Sequence, residues 1–119
     1  MGGVEVKIAA IGDNVIDRYL NKGVMYPGGN AVNVAAHASM LGAQAAYIGE
    51  IGNDLGGRII TDALSSLNVD LSQSSMPEKA TTKTCDVNVY NGERVEVGYD
   101  TGACWALKTH INDSDVKFL

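Results

Sequence analysis

The sequence has no cluster of lysines or arginines, and its formal net charge is −5. That argues against a surface built to neutralise a phosphate backbone, so no nucleic-acid partner is expected. No apolar run approaches the roughly 20 residues that cross a bilayer, so no membrane partner is expected either. The opening residues Met1-Gly2-Gly3-Val4-Glu5 lack the basic region and long apolar run of a secretion signal. Cysteine is scarce. Cys85 and Cys104 have neither metal-ligand nor redox-motif spacing, and read as reduced core thiols of a cytoplasmic protein. His37 and His110 have no partners at catalytic or metal spacing, so neither is given a role and no metal site is expected. Internal repeats and low-complexity tracts are absent.

What is present is an ordinary globular composition: 119 residues, 45% of them hydrophobic and 19% charged, enough for at most one domain of usual size. The 14 glycines favour tight turns and close backbone approaches. One stretch, Tyr26-Pro27-Gly28-Gly29-Asn30-Ala31-Val32-Asn33, carries the strongest signal. Proline followed by two glycines is a turn. Ala31, Val34, Ala35, Ala38 and Leu41 then recur at helical spacing, and Gly42 is the stop. Gly28 and Gly29 therefore fall where a helix begins and backbone N–H groups lack intrahelical partners. Asn30 and Asn33 share one face of its first turn. This group suits a small polyhydroxylated molecule or an anion; equally, Asn30 serves as a simple cap.

The residues before it read as a buried parallel strand from Val4 to Ile11 ending at Gly12. Asp13 and Asp17 follow, at or just beyond the strand's carboxyl end, where open α/β sheets bind ligands. Asp13 reads as a turn cap. Asp17 is the better ligand, since a carboxylate there accepts hydrogen bonds from two neighbouring hydroxyls. Arg18 to Met25 is less regular.

After the helix come a strand from Gln44 to Ile48, the turn Gly49-Glu50-Ile51-Gly52-Asn53-Asp54, and a helix over Leu55 to Leu67. Asn53 or Asp54 is its cap, and its apolar stripe is Leu55, Ile59, Ile60, Ala63, Leu64 and Leu67. Gly49, Gly52 and Gly56 lie three and four apart, which does not fit the dinucleotide fingerprint and disfavours a nicotinamide enzyme. A brief strand at Asn68 to Leu71 completes two β-α-β units. Beyond Pro77 the period changes to two: Cys85, Val87 and Val89, then Asn91-Gly92, then Val95, Val97 and Tyr99. This predicts a hairpin with a type I′ turn, apolar on one face and polar on the other, forming either a separate small layer that can serve as a lid or an antiparallel edge extension without ligand contact.

With Gly12 to Asp17, Gly28-Gly29-Asn30-Ala31-Val32-Asn33-Val34-Ala35, Gly49 to Gly56 and the hairpin in this order, the chain resembles the N-terminal part of a ribokinase-like carbohydrate kinase of the phosphofructokinase-B family. Its Gly12-Asp13-Asn14, Gly28-Gly29-Asn30 and Tyr99-Asp100-Thr101-Gly102 are most similar to fructoselysine 6-kinase-like members. The resemblance implies an α/β, ribokinase-like three-layer sandwich with a parallel sheet and a small β-hairpin lid, the lid segments lying at about 18–26 and 81–102. It implies a sugar site of Asp17, Gly28, Gly29, Asn30 and Asn33, covered by the lid. Val15 stands where some relatives have a polar sugar contact. The implied reaction carries the γ-phosphoryl group of ATP, with Mg2+, to a sugar hydroxyl, and the implied assembly is a homodimer.

The family's base and anion hole lie in a later Asp-Thr-x-Gly-Ala-Gly-Asp motif. Asp100-Thr101-Gly102-Ala103-Cys104-Trp105 lacks its spacer, the glycine before the base and the base itself, so residues 1–119 hold no catalytic residue and no ATP-binding portion. After Asn112, Asp115, Val116 and Leu119 read as the start of a helix, so a fragment of a longer polypeptide is expected, inactive by itself. The alternative is a non-catalytic sugar-binding or dimerising module.

Overall fold

A computed structural model describes residues 5–100. The residues from Thr101 onward, including the helix expected after Asn112 and all of the Asp-Thr-Gly turn but Asp100, lie outside that range. Eight elements follow one another: β1 (Lys7–Ile11), β2 (Val15–Tyr19), β3 (Val24–Gly28), α1 (Asn30–Met40), β4 (Gln44–Ile48), α2 (Leu55–Ser66), β5 (Thr84–Tyr90) and β6 (Glu93–Asp100).

They form two sheets. β1 and β4 pair in parallel, Lys7 opposite Gln44 through Ile11 opposite Ile48. The crossover between them is α1, an arrangement parallel strands require. The brief strand expected at Asn68 to Leu71 is reduced to one bridge, Asp70 opposite Ala46, with a second at Ser75 opposite Glu50. The second sheet has the order β3-β2-β5-β6. Here the irregular stretch from Arg18 to Met25 proves to be a hairpin: β2 and β3 are antiparallel, turning through residues 20–23 with Gly23 at φ 67°. Period-two patterning failed to reveal it because β3 is Val-Met-Tyr-Pro-Gly with its first three residues exposed. A strand with little buried surface need not alternate.

The main core joins Ala10, Val32, Ala35, Ala45, Tyr47, Ile60, Leu64 and Val69, with Ile16 reaching in from β2. The helix over Ala31 to Leu41 is present, but its buried stripe is rotated: Val32 and Ala35 are buried, whereas Val34 and Leu41 are exposed. In α2 the same holds for Leu55, which is exposed, while Ile60 and Leu64 are fully buried.

Asp54 caps α2, accepting from Gly57 N at 2.9 Å. Its carboxylate also accepts from Thr82 N at 2.8 Å and from the Thr82 hydroxyl, tying the helix start to the segment that enters β5. Burial raises its carboxyl, but the Thr82 and Gly57 hydrogen bonds outweigh that and hold it below the ordinary value. A carboxylate depressed in the fold stabilises it above the unfolded value and loses that contribution as pH falls through the folded one. Urea unfolding midpoints are therefore expected to drop below about pH 4, the unfolded aspartate range. Asp54→Asn should flatten part of that drop; an unchanged acid profile would show that the cap carries none of it.

Candidate functional site

The site begins with a hydrogen-bond chain at the carboxyl ends of β1 and β4. The Tyr47 hydroxyl, fully buried, donates to Gly12 O at 2.7 Å. Asn14 Nδ2 donates to that hydroxyl at 2.9 Å and to Glu50 O at 2.8 Å. Both donors being used this way, the amide cannot be reversed without setting oxygen against oxygen. Asn14 Oδ1 is left buried with no hydrogen-bond partner among the described residues.

Gly29 closes on this corner. At φ 103° it adopts a conformation that favours glycine, and a Cβ would stand 2.8 Å from Asp13 O and 3.1 Å from Asn14 Cα. It is also the N-cap of α1, with no side-chain cap. Asn30 therefore does not cap the helix. Asn33 N bonds to Gly29 O at 2.9 Å, while the side chains of Asn30 and Asn33, both at exposed positions, are left for other uses. The first-turn amides of α1 face outward without intrahelical acceptors.

Asp17 lies inside β2, not in a loop beyond β1. Register places Tyr26 on one side of it and Cys85 on the other. Its carboxylate points along the sheet toward the glycine turn, since a Cβ at Gly28 would meet Asp17 Oδ2 at 2.6 Å. Asp17, Gly28 and Gly29 are thus brought together; Asn30 follows directly, and Asn33 lies three residues further along the helix. Burial raises the Asp17 carboxyl, Arg94 opposes this, Glu96 adds to it, and Lys83 lowers it again. Asp13, expected to cap its own turn, pairs instead with Lys83 Nζ at 3.5 Å. Lys83 in turn stands over the Tyr99 ring, 5.1 Å from its centre.

The β5–β6 hairpin turns at Asn91 (φ 50°) and Gly92 (φ 81°), the two left-handed residues a type I′ turn requires. Its faces are not those the alternation predicts. Cys85 pairs with Tyr99 and Asp86 with Gly98, but Val87 pairs with Glu96 and Val89 with Arg94. Val97 is the extra residue of a β-bulge. The face that carries Cys85, Val87 and Asp17 therefore receives Arg94 and Glu96 in place of Val95 and Val97. Arg94 Nη2 stands 3.5 Å from Asp17 Oδ1, and Nη1 3.4 Å from Glu96 Oε1. On the other face Arg18 grips Asp86 through two bonds, 2.5 and 2.8 Å. Arg94, Glu96 and Asn14 are the site residues that sequence reasoning missed. For Asn14 the signal was its place in Gly12-Asp13-Asn14; for the other two, nothing local announced the bulge.

A parallel α/β unit with a glycine turn before its crossover helix, flanked by a separate β layer that carries the carboxylate, is the ribokinase-like class of fold. Arabidopsis thaliana ribokinase complexed with ribose and ATP superposes with a TM-score of 0.77 over 97% of this chain and 42% of that one, at 20% identity. An uncharacterized sugar kinase of Pyrococcus horikoshii in complex with ATP gives 0.70 over 81% of this chain and 35% of that one, at 30% identity. The chain belongs to the pfkB family of carbohydrate kinases, whose pattern residues 5–118 match. It is 34% identical over 118 residues to the fructosamine kinase FrlD of Bacillus subtilis, covering 96% of this chain and 40% of that protein. It is 34% identical over 95 residues to fructoselysine 6-kinase of Escherichia coli, covering 80% and 36%. The chain thus spans about two fifths of the length of the curated relatives it matches.

Proposed function

We propose that this chain forms the sugar-binding part of an ATP-dependent carbohydrate kinase that phosphorylates a hydroxyl of fructoselysine or a related fructosamine. The observation that carries the reading is the Asp17 carboxylate aimed at the Gly28–Gly29 turn. A carboxylate there accepts from two adjacent hydroxyls. The outward amides of the first turn of α1 and the side chains of Asn30 and Asn33 hold the remaining oxygens. The four-stranded sheet is the lid: it supplies Asp17 from within and excludes water during transfer. The choice of a fructosamine rests on the two curated relatives.

ATP is the phosphoryl donor in this reading, with Mg2+ to neutralise its charge. Among the described residues no group of three histidines, cysteines, aspartates or glutamates could hold a metal ion. The base, the anion hole and the nucleotide site belong, in this reading, to the part of the relatives' length that this chain does not span. This reading puts the enzyme in the cytoplasm. A homodimer is supported by the exposed side chains of Val95, Val97 and Tyr99 on β6, which is an edge strand of its sheet.

Calorimetric titration of the 119-residue chain tests the sugar assignment. Fructoselysine should bind, and more tightly than fructose or ribose. Equal affinity for fructose would sink the fructosamine assignment, and heat from none of the three would sink the sugar site.

A further inference from the structure

We infer that Arg94, aimed by the Val97 bulge and held by Glu96, is a positioning residue for Asp17, fixing the carboxylate that holds the sugar. The inference rests on the sugar-site reading above. Without the bulge, the register set by Cys85–Tyr99 and Asp86–Gly98 would put Val97 opposite Val87 and Val95 opposite Val89. The whole inner face of the hairpin would then be apolar. One extra residue in β6 turns Val95 off that face and brings Arg94 and Glu96 onto it. Bulges recur beside active sites, where bending the strand re-aims a side chain.

Arg94 then acts on Asp17 in a defined way. Its ion pair is with Oδ1, at 3.5 Å, while Oδ2 is the oxygen nearest Gly28. A carboxylate fixed at one oxygen keeps its plane and leaves the other oxygen to the ligand. The guanidinium is itself fixed, by Glu96 at 3.4 Å and by the Tyr19 hydroxyl beside it. The titratable groups set around Asp17 are Arg94 and Glu96 from β6, Lys83 from the entry to β5, Cys85 on β5, Tyr19 on β2 and Tyr26 on β3, and of these Arg94, Glu96 and Lys83 act on its carboxyl. Of these, Arg94 is the largest influence opposing the burial that disfavours the charged form.

The test is to titrate the Asp17 carboxyl by carbon-13 NMR in the 119-residue chain and in three variants, and to titrate each with fructoselysine. Arg94→Gln should move the Asp17 midpoint upward, and Arg94→Lys should restore most of it. Glu96→Gln should move it downward, a sign that general loosening of the hairpin would not produce. Affinity for fructoselysine at neutral pH should fall between about ten- and a hundredfold in Arg94→Gln, the range a misplaced holding group produces. An unmoved midpoint in Arg94→Gln overturns the inference, as does a moved midpoint with unchanged affinity. If Asp17→Asn also leaves the affinity unchanged, the sugar-site reading has failed with it. If Arg94→Gln does not fold, Glu96→Gln decides the matter against Arg94→Lys, whose midpoint stays near the parent's: a Glu96→Gln midpoint that does not fall below both overturns the inference.

Discussion

Asp17→Asn is expected to weaken sugar binding by about a hundredfold or more while leaving the fold as stable as before, or more so. The exchange keeps size and shape but removes the charge and turns one acceptor into a donor. Hydrogen bonds to a charged group are worth roughly 1.5–3 kcal/mol each, so spoiling two of them exceeds the approximately 2.7 kcal/mol of a hundredfold change. Stability runs the other way. Because burial raises the Asp17 carboxyl in the fold, its ionised form costs stability at neutral pH. Asparagine removes that cost, against the loss of one partly exposed ion pair with Arg94. The same sign governs the wild-type protein: binding should decline as pH falls, starting above the ordinary aspartate range. Calorimetry with fructoselysine and a thermal melt on the same sample separate the two effects. Affinity surviving the exchange would remove Asp17 from the site; a melt lowered together with affinity would make Asp17 a structural residue.

Gly57→Ala should strongly destabilise the protein, though the residue lies in a helix where alanine is ordinarily preferred. The propensity gain is about 1 kcal/mol. Against it, the new Cβ would fall on the Gly52 carbonyl oxygen, backbone against backbone. Neither side can yield. Asn53 N is bonded to Ala80 O at 2.8 Å, and Asp54 is held by Thr82. Overpacking of this kind costs roughly 1–3 kcal/mol when side chains give way, and more when only backbone can. We expect a net loss on the order of 3 kcal/mol, a large share of a typical stability of about 5–15 kcal/mol. Urea unfolding monitored by circular dichroism would measure it. A variant as stable as the parent would mean that the Gly52 turn shifts freely, and that the start of α2 is not fixed by it.

The frame of the fold was written locally. β4 and α2 fall where apolar spacing puts them, and Gly42 (φ 97°) and the Asn91-Gly92 pair sit where left-handed turns are needed. Their signals are carried within a few residues. What sequence reading misplaced depends on distant partners. Val34 and Leu41 fit a helical stripe as well as Val32 does, and only the position of β4 decides which side of α1 faces in. Asp17 reads as a loop residue because β2 is five residues long and its pairing partner β5 lies far along the chain. The bulge at Val97 is the clearest case. The alternation of Val95, Val97 and Tyr99 is real in the sequence, yet one unpaired residue reverses its meaning for half the strand. The candidate site was legible as the aspartate and the glycine turn; the cation that meets the aspartate was not.

The parallel pairing of β2 with β5 also has a temporal side. Arg18 and Asp86, which strap these strands together, are separated by 68 residues of chain. Closing a loop of that size costs entropy before any contact rewards it, whereas β1, α1 and β4 can dock through neighbours. During folding the parallel unit with its crossover helix can therefore consolidate early, and the sheet bearing Asp17 comes together late. A ligand touching Asp17 and the start of α1 would bridge the early and late regions. It would slow the opening of the last-formed layer more than it hastened the first steps of assembly.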